Sequence, residues 1–156
     1  MAEQVSVTYT FFPLPYHHEV WLPHLLLPYF EDLCRTDSTK CYYYEYTDYT
    51  LKNLNVILGA KTTPEADLIN TWTQAVATQF SLNQDDLKNC YDSRKDTHNS
   101  EMRLRYMWKY AAAKQVTGTP VAFVNGIMIN SFPETADEWL QLVTDVHNSQ
   151  YPKQEL

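Results

Sequence analysis

The chain has 156 residues, 44% of them hydrophobic and 14% aromatic, with 3 glycines, which is the composition of one packed domain and excludes a linker-like or disordered segment. Lys+Arg 12 against Asp+Glu 19 leaves a formal net charge of −7 with no basic cluster, so neither nucleic acid nor an anionic membrane is expected as a partner. Three cysteines, Cys34, Cys41 and Cys90, are too few and too unevenly placed for a secreted disulfide framework, and no signal-peptide pattern opens the chain; as written it is expected to be cytoplasmic, an expectation that lapses if the N-terminus is incomplete.

Residues 5–12, Val-Ser-Val-Thr-Tyr-Thr-Phe-Phe, alternate apolar and polar side chains and predict a strand that Pro13 and Pro15 end. Residues 17–33 carry Trp21, Leu25, Leu26, Tyr29 and Phe30 at helical spacing. Pro23 and Pro28 each remove a backbone donor, so a kink or two short helices is expected there. Residues 41–58 predict a helix despite the crowd of Tyr42, Tyr43, Tyr44, Tyr46 and Tyr49, with Gly59 as its stop. Thr63-Pro64-Glu65 opens a helix whose Leu68, Trp72, Val76 and Phe80 form one buried stripe.

A short helix is expected from Asn83 to about Tyr91, then a polar loop over 92–99, then a helix over 100–116 with Leu104, Trp108, Ala111 and Ala112 inward. Asn125-Gly126 between two apolar runs is a hairpin signal, because both residues tolerate the positive φ of a type I′ turn. Strands are therefore expected over 121–124 and 127–129. Thr135-Ala136-Asp137-Glu138 is a capping box for a last helix through Trp139, Leu140, Val143 and Val146, and the tail over 148–156 is expected to fray.

Two stretches give this layout a likeness. One is Phe12-Pro13-Leu14-Pro15-Tyr16-His17-His18. The other runs from Lys109-Tyr110-Ala111 to Val116, then through Gly118-Thr119-Pro120 to Asn125-Gly126. Together they resemble the DsbA-like branch of the thioredoxin superfamily. The resemblance implies a single α/β thioredoxin-like domain over 1–156, with a core of 5–15 and 100–147 and a helical insertion at about 16–99. It also implies a cis Thr119–Pro120 bond, and a substrate-facing edge made of Gly118, Thr119 and Pro120 on which an extended peptide pairs its backbone. Members of that branch carry a Cys-x-x-Cys at the N-terminus of a helix preceding the strand matched by residues 5–12. This chain has no Cys-x-x-Cys, and only four residues precede Val5. The expectation is a sheet lacking its first strand and a fold lacking its catalytic helix.

Set against the resemblance, the chemistry is sparse. No catalytic residue, metal site or cofactor is assigned. Cys34, Cys41 and Cys90 are expected to be free structural thiols, although a bridge between the first two is sterically open. His17, His18 and His24 lack the carboxylate or cysteine spacing of a metal site. The tyrosine cluster is expected to pack in part and stand half-exposed in part. The function expected is a non-catalytic thioredoxin-like module that binds a peptide or protein. The alternative is a DsbA-type thiol-disulfide oxidoreductase whose Cys-x-x-Cys segment is absent from this chain. A gap in the sheet would also favour a homodimer.

Overall fold

The computed structural model describes residues 5–150. They form α1 (His18–His24), α2 (Leu27–Thr36), α3 (Tyr43–Lys52), α4 (Leu54–Gly59), α5 (Glu65–Phe80), α6 (Gln84–Asn89), α7 (Ser100–Ala113), β1 (Phe123–Val124), β2 (Ile127–Met128) and α8 (Ala136–Gln150). A 3-10 turn, Ser38–Lys40, follows α2. The architecture is mixed α/β, mostly helical, with one two-stranded antiparallel sheet. Among the described residues no helix is long and apolar enough to cross a membrane. The chain divides into two compact units, Met1–Gln115 and Val116–Leu156.

In the first unit the prolines act as expected. Pro23 lies inside α1 and Pro28 at the start of α2, and the chain turns between them at Leu25 and Leu26. The carbonyl of Pro23 accepts hydrogen bonds from Leu26 N at 3.3 Å and from the Tyr46 hydroxyl. Tyr46 is wholly buried, stacks on Phe30 with ring centroids 4.2 Å apart, and accepts a 3.0 Å hydrogen bond from Trp72 Nε1. One tyrosine thus ties α1, α2, α3 and α5 together.

The expected helix over 41–58 is two helices. The side chain of Asn53 donates to Tyr49 O at 2.8 Å, competing with the backbone ladder where α3 gives way to α4. The α5 stripe is in place: Leu68, Trp72 and Val76 are buried and Phe80 packs against the core. Pro64 stands one position earlier than expected, as N-cap, with no side-chain cap from Thr63. Asn83 caps α6 by accepting from Asp85 N and Asp86 N.

The strand expected over 5–12 is not there. Among the described residues no strand partners this segment, and without a ladder its backbone has no reason to hold a pleat. Its side chains pack singly on helices instead. Phe11 lies 4.9 Å from the His24 ring, and Phe12 stacks on Trp108 at 5.2 Å. Residues 5–10 are exposed, so the period-2 pattern does not face a core.

A second correction concerns the cysteines. Cys34 and Cys41 form a disulfide across the 3-10 turn, so only Cys90 is a free thiol. An ionic cluster clamps α2 to α7: Arg103 binds Asp32 at 2.8 Å and also Glu31, and His98 Nδ1 donates to Asp32 at 2.9 Å.

In the second unit β1 and β2 pair Phe123 with Met128 and Val124 with Ile127. Asn125 and Gly126 have φ of 50 and 82, the double positive of a type I′ turn. The two strands are shorter than the expected 121–124 and 127–129, although Ile129 N still donates to Ala122 O at 3.0 Å. The capping box forms as read: Glu138 N donates to Thr135 Oγ1 at 3.2 Å, and Thr135 N to Glu138 Oε2 at 3.1 Å. Helix α8 continues through Gln150, past the expected start of the tail, whose remainder lies outside the described residues. Ser81, Asn99 and Gln115 take positive φ of 54, 54 and 62 without being glycine, each at the end or start of a helix.

Candidate functional site

Gly118, Thr119 and Pro120 form a bend between the end of α7 and the hairpin. The Thr119–Pro120 peptide bond is cis. Thr119 and Pro120 are exposed and Gly118 is half-buried. A Cβ at Gly118 would meet nothing within 4 Å, so the position is open rather than tight. Among the described residues none hydrogen-bonds to the backbone of Thr119. The segment therefore presents a solvent-facing donor and acceptor immediately before a two-stranded sheet, which is the chemical requirement for pairing with an added strand.

Thiol chemistry has little to work with. Cys90 is buried beside Leu87, and its Sγ points back to Asp86 O at 3.8 Å. Burial, with the nearby Asp96 and Asp86 carboxylates, pushes its thiol up to about 12, so it holds its proton at neutral pH. Cys41 of the disulfide is exposed and Cys34 half-buried.

Comparison with family models, with curated proteins and with solved structures returns no match.

The histidines read as unrelated to metal are arranged differently from one another. His24 is half-buried and donates from Nδ1 to Val20 O at 2.6 Å, and loss of hydration pulls its imidazole below the ordinary value. His17 and His18 both turn toward Glu19, their Nδ1 atoms 3.7 and 3.4 Å from its two oxygens. Among the described residues no group of three His, Cys, Asp or Glu side chains could hold a metal ion.

Glu19 is the residue that sequence reading passed over. As an acid in the first turn of α1 it looks like an ordinary helix-start residue, yet it is 1% exposed. It lines a cavity of about 1100 Å³ in the first unit, between the residue 13–15 loop, α1 and α7. Trp21 and Trp108 contribute to the same wall. Trp21 Nε1 donates to Glu101 at 2.9 Å, and Trp108 Nε1 donates to Pro13 O at 3.2 Å. No periodicity or motif could have found this cavity, because it depends on α7 returning to α1 across some eighty residues of chain.

The tyrosine cluster divides as expected: Tyr46 is core, Tyr42, Tyr43 and Tyr49 are half-buried, and Tyr44 is exposed.

Proposed function

We propose that the chain is a non-catalytic thioredoxin-like module that binds an extended peptide or protein segment along Gly118, Thr119 and Pro120. The observation that carries this reading is the exposed, unpaired backbone at Thr119 running directly into β1. Such an edge recognises main chain rather than side chain, so its partners are extended segments of varied sequence. The absence of enzymatic thiol chemistry is part of the same proposal. It is supported by the lack of a Cys-x-x-Cys, by the high position of the Cys90 thiol and by the consumption of Cys34 and Cys41 in a bridge.

Amide chemical shifts of the full chain, followed while adding the soluble peptide acetyl-Lys-Val-Thr-Val-Thr-Lys-amide up to about 1 mM, test the binding claim. Shifts should concentrate at residues 118–122 and vanish with the backbone N-methylated peptide. No shift there, or equal shifts from the methylated peptide, overturns it. Insulin reduction with dithiothreitol tests the second claim: the rate should equal the uncatalysed background, and clear catalysis would restore the oxidoreductase alternative.

A homodimer is the second partner proposed. Its support is the exposed apolar set Ile127, Met128 and Leu140, the first of them 72% exposed. Sedimentation at micromolar concentration reads it directly. A cytoplasmic location stands less well beside the Cys34–Cys41 bridge, since disulfides persist in oxidising compartments. Trapping free thiols in intact cells before lysis separates the two: alkylation of Cys34 and Cys41 places the chain in a reducing compartment, and their protection places it outside one.

A further inference from the structure

Neither carboxylate oxygen of Glu19 accepts a hydrogen bond among the described residues, although the side chain is 1% exposed. Nearly every buried carboxylate in a folded protein is paired, because leaving one unpaired costs several kcal/mol. The nearest nitrogens, on His17 and His18, stand at 3.7 and 3.4 Å and make no hydrogen bond. His17 and His18 stand on the same cavity wall as Glu19, and His18, nearest to Oε2, is 75% exposed.

The surroundings define what would fit. The cavity wall carries Glu19, Glu65, Asp96 and Glu101 against Arg105, Lys109 and the imidazoles of His17 and His18, and Arg105 is already held by Glu101 at 2.6 Å. Carboxylates thus outnumber the permanent cations on the wall. Its apolar part comes from Leu22, Trp21 and Trp108, and the Arg105 guanidinium lies 5.9 Å from the Trp21 ring centroid. A metal ion is disfavoured, since no third protein ligand completes a site with Glu19 among the described residues.

We propose that this cavity binds an organic primary ammonium, its charge against Glu19 and its aliphatic body along Leu22 and Trp21. The ammonium is either a free alkylamine or the side chain of a lysine. The site is independent of the Thr119 edge, so failure of one reading leaves the other standing.

Calorimetric titration of the full chain with hexylamine and with the neutral analogue hexanol decides the matter at neutral pH. Hexylamine should bind at least tenfold more tightly than hexanol, and Glu19→Gln, isosteric and checked for folding by circular dichroism, should erase that preference. His18→Ala removes the imidazole nearest to Oε2 and should bind hexylamine at least as tightly as the unmodified chain. The two sources separate with acetyl-Ala-Ala-Lys-Ala-Ala-amide: competition with hexylamine assigns the site to lysine side chains, and its failure beside a binding hexylamine assigns it to free amines. Equal binding of hexylamine and hexanol, no binding of either, an unchanged preference in Glu19→Gln, or loss of hexylamine binding in His18→Ala would each overturn the proposal. Should Glu19→Gln fail to fold, the comparison on the unmodified chain and the His18→Ala result still decide.

Discussion

Replacing Tyr46 by Phe removes a single oxygen from the middle of the first unit. That oxygen donates to Pro23 O and accepts from Trp72 Nε1. The two partners do not suffer equally. Pro23 O keeps the hydrogen bond from Leu26 N, whereas the Trp72 indole is a donor with no acceptor left and is only 5% exposed. An unsatisfied buried donor costs about 1–3 kcal/mol, while the phenyl ring of Phe preserves the stack on Phe30, so no cavity term is added. The expected loss is therefore about 1–3 kcal/mol in urea denaturation, a drop in Tm of roughly 2–4 °C per kcal/mol for a chain of this size. The double variant Tyr46→Phe/Trp72→Phe should lose less than the two single losses added together, since it removes the stranded donor as well. A Tyr46→Phe loss below about 0.5 kcal/mol, or strictly additive losses in the double variant, would refute the assignment of this hydroxyl as the tie between α1 and α5.

The remaining expectations concern charge and covalent linkage. Burial raises the Tyr43 phenol and the Cys90 thiol to about 12 and raises the Tyr46 and Tyr91 phenols as well, so each stays neutral in the fold at pH values where the unfolded chain ionises. Raised pKa values in the folded state mean that stability is intact below about pH 9 and falls as pH climbs toward 12; a Tm flat across that window would contradict their burial. His24 has the opposite sign. Its pKa is lowered by burial, so its contribution is present above pH 6.5 and lost as pH falls through and below that value, and His24→Phe should flatten this part of the Tm profile. Arg103→Met leaves Asp32 with only His98 and Glu31 with only Arg35, and should cost about 1–2 kcal/mol by urea denaturation. Reducing the Cys34–Cys41 bridge opens a short loop worth about 2.5 kcal/mol in chain entropy, so dithiothreitol should lower the urea midpoint of the unmodified chain but not of Cys34→Ala/Cys41→Ala.

Elements whose signals are local were legible. Pro23 and Pro28 act on their own helical turns, Leu68, Trp72 and Val76 repeat along one helix, and Asn125-Gly126 and Thr135 with Glu138 settle their geometry within four residues. Residues 5–12 misled because alternation promises a strand only if another strand lies beside it, and that partner is a property of the whole chain. The disulfide was missed for a related reason: seven residues of sequence separation say nothing until the 3-10 turn at Ser38–Lys40 folds Cys41 back on Cys34. Glu19 hid behind a familiar helix-start pattern. It is nonetheless 1% exposed, and no local rule encodes that. The Gly118-Thr119-Pro120 corner was visible as a motif; its openness was not.

Ser81, Asn99 and Gln115 occupy a backbone region that costs an ordinary side chain roughly 1 kcal/mol, and the chain spends none of its 3 glycines there. Serine and glutamine gain little from the left-handed conformation, whereas asparagine tolerates it. An engineer wanting a sturdier protein could thus start at Ser81→Gly and Gln115→Gly, two helix exits where deleting a side chain relieves crowding without touching the core or the Thr119 edge.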